Sequence, residues 1–358
     1  MIRIDIRPVW RFRAGTEAEF DFQLVSILER IEATSKLTEA AQFAGISYRH
    51  AWNLVKRWEE FFGAPLVDKA RGRGTQLTAL GQRLLWAARR AQARLSPELE
   101  NLAADFARAL NESLSDQVPA LLMHASHDFA VNELRELLGA ATPVEVQYKG
   151  SFDALAALRR GECDLAGFHV PEGPLGDLMA RRYAECLPLD RFRLVSFVRR
   201  TQGLIVRTGN PKEIRGVEDL CRPGVRMVNR QRGSGTRALL EFIISARGLE
   251  RARMDGYENE EITHAAVAAL VAGNQADAGF GVAAAAANYG LGFVPVCTER
   301  YYLACDAAAL QGPAVEHLLG VLRSEAFVRR VARLAGYSAL GAGTLVRDFM
   351  QPVPAGDA

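Results

Sequence analysis

Residues 225–247 read VRMVNRQRGSGTRALLEFIISAR, an order of residues that admits few structures. The short apolar run predicts a strand, Arg-Gly-Ser-Gly-Thr-Arg a tight turn, and the apolar-periodic remainder a helix. The first N–H groups of that helix have no intrahelical partner, and its macrodipole adds partial positive charge at the same place. Gly233 and Gly235 let a ligand approach the backbone closely. Ser234 and Thr236 add hydroxyl donors, and either is suited to cap the helix. Arg232 and Arg237 offer planar, forked donors to a tetrahedral anion. These are the requirements of an oxyanion site at a helix start. The nucleotide-binding spacing G-x-x-x-x-G-K-[ST] is absent. A Gly-Ser turn that only caps a surface helix carries the same letters, so the loop alone leaves both readings open.

Two further junctions repeat the pattern. Residues 120–125 (ALLMHA) predict a strand, followed by Ser126-His127-Asp128 and a helix to Leu138. Residues 144–148 (VEVQY) predict another, followed by Lys149-Gly150-Ser151 and a helix over 153–160. Three such helix starts can converge on one anion. Ser126, Ser151, Arg232, Ser234, Gly235 and Thr236 are the leading ligand candidates, with His127, Phe168, His169 and Arg237 behind them. Residues 118–350 alternate strands and helices, as an α/β domain does. Within them, 156–168 (AALRRGECDLAGF) and 268–280 (AALVAGNQADAGF) agree at seven of thirteen positions. The echo predicts two lobes, each with a helix leading into a strand that ends in Ala-Gly-Phe. Residues 194–197 and 204–206 are read as strands carrying the chain between lobes, and 293–296 and 301–305 as strands returning it. Lobe I is placed at about 118–200 and 293–350, and lobe II at about 201–292. Such a pair holds its ligand in the cleft and closes by a hinge.

The first part of the chain has a different character. Residues 2–13 predict a strand, and 17–34 an amphipathic helix with Phe20, Leu24, Ile27, Leu28 and Ile31 on one face. A short helix over 37–44, a turn at Gly45 and a helix from Ser47 to Phe62 follow. Ala51, Leu54, Val55 and Trp58 give the last helix its apolar face, which turns Tyr48, Arg49, His50, Asn53, Lys56 and Arg57 outward. Residues 66–68 and 76–78 flank a basic, Gly-rich tip containing Arg71 and Arg73. This is a winged helix-turn-helix, with Ser47, the six outward residues, Arg71 and Arg73 as DNA-contact candidates. A small helical bundle with solvated charges is the plainer alternative, but turn, cap, basic face and wing agree. From Thr78 the chain is helical to about residue 111, interrupted near Ser96-Pro97. Its stripe of Leu80, Leu84, Leu85, Leu95, Leu99, Leu102, Phe106 and Leu110 suits a partner helix, and hence a homodimer or higher oligomer on two half-sites. Packing on this chain's own domains is the alternative. The domains are read as 1–83, a linker helix over 84–117, and 118–358.

Composition bounds the remaining classes. Net charge is only +2, yet residues 47–94 hold ten Lys/Arg against three Asp/Glu, inside the DNA-contact region. The five cysteines are odd in number and scattered without C-x-x-C, which predicts a reduced, cytoplasmic protein. The opening residues lack the apolar core of a signal peptide, and the Ala-rich stretch over 265–288 is broken by Asn274, Gln275 and Asp277, so no membrane association is expected. His124 and His127 form H-x-x-H without a further ligand, so no metal is expected. No cofactor is called for, and no nucleophile–base pairing marks a catalytic residue. A transport-type binding protein, or an oxyanion- or pterin-handling enzyme with an appended DNA-binding domain, are the rivals from other classes.

The runs LTEAAQFAGISYRHAWNLVKRWEE and LTALGQRLL resemble the winged helix-turn-helix of the molybdate-responsive (ModE-type) regulators, which is related to the LysR type. Residues 118–350 resemble a type 2 periplasmic-binding-protein-like domain of the molybdate/tungstate group. That likeness is carried by Ser126-His127-Asp128, Gly150-Ser151, Ala166–His169, Gln202–Val206 with Gly209-Asn210-Pro211, and Asn229–Arg237. ModE-type regulators sense molybdate with small C-terminal β-barrel modules, and nothing here resembles those. The resemblance implies a ligand-responsive transcription regulator that binds double-stranded DNA and senses molybdate, tungstate or another anion of molybdenum-enzyme metabolism such as formate. A LysR-like regulator with a different small organic effector is the alternative. Arg230, Arg232 and Arg237 place more charge near the loop than neutral-donor oxyanion sites need. They point to a ligand other than simple molybdate, or to arginines with structural roles.

Overall fold

A computed structural model of the chain describes residues 2, 4–70, 74–113, 121–188 and 190–346. They form two compact units: Arg7–Ala93, and the residues from Arg94 onward together with the few before Arg7. The first unit opens with a hairpin of β1 (Arg11–Ala14) and β2 (Thr16–Glu19), turned at Gly15 with φ 74°. The helix expected from residue 17 therefore begins only at α1 (Gln23–Thr34). The reason is the aromatic alternation of Trp10, Phe12 and Phe20. Phe12 lies 5.4 Å and Phe20 4.9 Å from the Trp58 ring, so the hairpin covers the helical core as a sheet would. After α2 (Leu37–Phe43), Gly45 makes a left-handed turn and Ser47 caps α3 (Tyr48–Phe62), its hydroxyl accepting from His50 N–H at 3.2 Å. The wing is β3 (Val67–Ala70) paired antiparallel with β4 (Gly74–Leu77). α4 (Ala79–Glu112) is unbroken, contrary to the interruption expected near Pro97. A proline removes one backbone donor, and the Ala-, Leu- and Glu-rich turns on either side are strong helix formers that carry the ladder past it.

The second unit is built on a repeated β-α-β-α-β run. One copy is β5 (Leu121–Ala125), α5 (Phe129–Leu138), β6 (Val144–Tyr148), α6 (Ser151–Arg160) and β7 (Leu165–Pro171). Then come α7 (Pro174–Cys186) and β8 (Phe192–Val206). The other copy is β9 (Met227–Arg230), α8 (Gly235–Ala246), β10 (Glu260–Glu261), α9 (His264–Ala272) and β11 (Ala278–Val282). After α10 (Ala283–Asn288), β12 (Gly292–Asp306) pairs with β8 along nearly its whole length. α11 (Pro313–Arg323), α12 (Glu325–Val331), β13 (Tyr337–Ser338) and β14 (Leu345–Val346) complete the described chain, both short strands adding to β8. The sheet order β10-β9-β11-β8-β12-β7-β5-β6 reads the same outward from the central β8–β12 pair in both directions. The echoed sequences occupy the matching α6–β7 and α9–β11 segments, and this second unit is two-lobed around the crossing pair.

The crossing strands correct the sequence reading, which placed two short strands in each. Arg199, Arg200, Thr201 and Gln202 look like a polar break, yet they continue β8 because their partners on β12 are equally polar. Glu299 lies opposite Arg200 in the ladder and binds its guanidinium at 3.0 Å. No helix among the described residues is long and apolar enough to cross a membrane.

Candidate anion site and nucleic-acid interface

Four helix starts follow strands β5, β6, β9 and β10. Asp128 caps α5 by accepting from Ala130 N–H at 2.8 Å, Ser234 caps α8 by accepting from Arg237 N–H at 3.1 Å, and Thr263 caps α9 by accepting from Ala266 N–H at 2.9 Å. Gly150 occupies the cap position of α6 and offers no side chain. A cleft of about 310 Å3 lies among them, lined by Ser126, His127, Lys149, Gly150 and Arg230–Ser234, with Pro97, Glu98 and Asn101 of α4 on one wall. A Cβ on Gly150 would lie 2.9 Å from the carbonyl oxygen of Gly233, so the starts of α6 and α8 approach as closely as they do because residue 150 is glycine.

The floor of the cleft is cationic. Arg230, the last residue of β9, is 4% exposed; Nη2 donates to Ile262 O at 2.7 Å, and Nη1 has no hydrogen-bond partner. Among the described residues no carboxylate pairs with it, and burial, with nearby Arg200 second, brings its pKa down to about 9, still charged at neutral pH. A buried guanidinium without a counter-charge is costly by several kcal/mol. Arg200 is the contrast: equally buried, it is held by Asp128 at 2.5 Å and Glu299 at 3.0 Å, and Asp128 also accepts from Tyr337 OH at 2.8 Å. Three imidazoles surround this pair. Burial first, and the two arginines after it, depress His169 and His264 far below the usual histidine range. His127 falls to about 4, from burial and then from Arg230. His169 Nε2 and His264 Nδ1 are buried without a partner.

The sequence candidates divide accordingly. Ser126, His127, Arg232 and Ser234 line the cleft. The Ser126 hydroxyl donates to Lys149 O at 3.4 Å, and that of Ser234 to Gln231 O at 2.9 Å. Ser151 is buried on the first turn of α6, its hydroxyl unpartnered, and a Cβ added to Gly235 would lie 3.7 Å from it. Thr236 is buried and accepts from the Gln202 amide at 2.9 Å. Arg232 reaches the cleft rim, but its guanidinium is 73% exposed and paired with Glu258 at 2.7 Å and Glu260 at 3.5 Å. Arg237 turns away from the cleft, binding Glu241 at 2.8 Å and stacking on Tyr257. Phe168 is a core residue: alternation along β7 sends it into the apolar cluster with Tyr183 and Tyr302 and sends His169 to the opposite face, against Tyr301. Sequence reasoning passed over Arg230 as a ligand candidate, and did not see the fourth helix start at Thr263-His264. The signal for that start was the Thr-His pair directly before the echoed helix.

In the first unit, Tyr48, Arg49, His50, Asn53, Lys56 and Arg57 are all exposed on α3. Ser47 spends its hydroxyl on the cap. Lys56 is exposed but not free, since it donates to Glu59 at 2.6 Å. Arg71 and Arg73 lie outside the described residues.

The PBP superfamily domain matches residues 131–323, and the bacterial regulatory helix-turn-helix protein, lysR family, matches residues 22–82. The chain is 30% identical over 251 residues to the uncharacterized protein YvgK of Bacillus subtilis (strain 168), covering 69% of this chain and 80% of that protein. It is 24% identical over 184 residues to the molybdenum-pterin-binding protein MopB of Rhodobacter capsulatus, covering 44% of this chain and 67% of that one. Over 69 residues it is 32% identical to the transcriptional regulator ModE of Yersinia pestis, covering 18% of this chain and 26% of ModE. With a lysR-family helix-turn-helix joined to a domain that spans more than half its length, the chain belongs to the PBP superfamily and is a LysR-type DNA-binding regulator.

Proposed function

We propose that the C-terminal domain senses a small oxyanion and that its occupancy sets the affinity of the chain for DNA. The observation that carries the reading is Arg230, a buried cation with an unpartnered Nη1 and, among the described residues, no carboxylate paired with it, on the floor of a cleft ringed by helix starts. An anion bound there completes the charge balance. Molybdate and tungstate are the first candidates, supported by the likeness to proteins named for molybdenum-pterin binding and for regulation as ModE. Formate is the second, because a carboxylate matches one guanidinium edge. Both matched families are those of regulators and binding domains, and the reading contains no catalytic step.

Thermal unfolding of the full chain with molybdate, tungstate, sulfate, phosphate and formate tests the ligand. The expected result is a selective rise in Tm that grows with ligand concentration, as binding to the native state requires. DNA affinity is then compared with and without the stabilising anion, because a ligand shifts a two-state regulator only through differential affinity. Equal Tm with every anion would remove the sensor reading.

A further inference from the structure

The residues that join the recognition helix to the wing form a connected network. Trp52, partly buried on α3, carries two ammonium groups over its ring: Lys56 Nζ at 4.9 Å from the same helix, and Lys69 Nζ at 4.2 Å from β3 of the wing. Lys56 also binds Glu59. That carboxylate is 8% exposed, and its other oxygen accepts the backbone N–H groups of Leu66 at 2.9 Å and Val67 at 3.2 Å, at the root of the wing. On the second wing strand, Thr75 N–H donates to Ser35 O at 2.8 Å. Both wing strands are thus tied to the helical body, and Lys69 is tied to the recognition helix through an aromatic ring. Two like charges gathered at one ring repel each other. The ring attracts each of them, which offsets part of that repulsion. Glu59 and the ring together hold the two ammonium groups at a set spacing, and a polyanion gains a paired cationic contact from it.

We propose that Trp52 is a positioning residue for DNA binding: it holds Lys56 and Lys69 as one cationic pair, so that helix and wing engage the phosphate backbone of a duplex as a unit. The proposal rests on the DNA-binding reading of this domain. It concerns backbone phosphates and implies no base sequence.

A mutant cycle on the full chain tests it, read by fluorescence anisotropy on a random-sequence duplex between about 50 and about 200 mM salt. Lys69→Met is expected to weaken binding about fivefold in the wild type and to reduce the salt slope by about one counterion, as loss of one phosphate contact does. The same change should cost nearly as much beside Trp52→Phe, which keeps an aromatic face. Beside Trp52→Leu it should cost less than about twofold, because the spacing is already lost. Trp52→Leu alone should weaken binding about tenfold, with most of the loss restored in Trp52→Phe. Equal Lys69→Met losses in the Trp and Leu backgrounds overturn the proposal. So does an unchanged affinity and slope for Lys69→Met in the wild type, a result that does not depend on how any Trp52 variant folds. Should Trp52→Leu lack a cooperative thermal transition, Trp52→Met replaces it in the cycle. A wild-type chain without salt-dependent duplex binding removes the DNA-binding reading itself, whereas wild-type binding with additive losses removes only the role of Trp52.

Discussion

Arg200 and Arg230 are buried in the same domain, and their surroundings assign them opposite work. Arg200 carries two carboxylates and ties α5 to the crossing strands, so its loss should be destabilising by about 3–5 kcal/mol, the cost of stranding Asp128 and Glu299. Among the described residues Arg230 is paired with none. Replacing it with Met should stabilise the empty protein by about 1–3 kcal/mol while abolishing its response to the anion. Urea unfolding of the wild type and Arg230→Met, each with and without tungstate, checks both halves, and retained anion stabilisation in the variant would move the site elsewhere. The histidines add a pH term. His124 and His127 are both held down to about 4, chiefly by burial, against an ordinary value of 6.5. Between those values the unfolded chain binds more protons than the folded one. Their contribution is therefore complete above about pH 6.5 and declines as pH falls toward 4. Urea midpoints at pH 7, 5.5 and 4.5 should drop in that order, and His127→Gln should flatten the decline. None of this division was legible near the loop. The three arginines read alike there, because the glutamates that claim Arg232 and Arg237 come later in the chain: Glu241, Glu258 and Glu260.

At the scale of elements, the strand–turn–helix junctions were readable because their signals are local: a short apolar run, a Gly or Ser turn, an amphipathic stretch. The helix-turn-helix and wing were readable for the same reason. The misreadings share one cause, a long-range partner overriding a local pattern. Residues 17–22 have helical spacing, yet Thr16–Glu19 pairs with Arg11–Ala14, and polar residues in the middle of β8 find polar partners on β12. The approach of α6 to α8 makes its own prediction. Gly150→Ala should push the Gly233 backbone carbonyl away, weakening anion binding at least tenfold, which is about 1.4 kcal/mol, and lowering the stability of the empty protein. Calorimetric titration with tungstate measures the first and thermal unfolding the second. Unaltered affinity would mean that the two helix starts need not close around the ligand.

For the whole molecule, the boundary between compact units falls at Ala93–Arg94, inside α4 and ten residues beyond the expected end of the first domain. The helix therefore contributes residues to both units and runs on through Pro97, where an interruption was expected. Past that boundary Leu95, Leu102, Phe106 and Leu110 are 38%, 56%, 60% and 40% exposed, a row at helical spacing that a second copy would bury. Sedimentation of the wild type should give a dimer or larger. Leu102→Glu with Phe106→Glu should shift it toward monomer and flatten the salt dependence of DNA binding; an unchanged mass would place the interface elsewhere. The mirrored sheet order has a consequence of its own. In the echoed segments Ala278 pairs with Met227 as Ala166 pairs with His124, so in step with those pairs the counterpart of the Arg230 guanidinium is His127, an imidazole whose pKa is held down to about 4. The frame treats its two sides alike and the charge does not. A tetrahedral anion can satisfy the symmetric frame in several equivalent orientations, but a ligand with one charged end has a single way in, with that end toward β9.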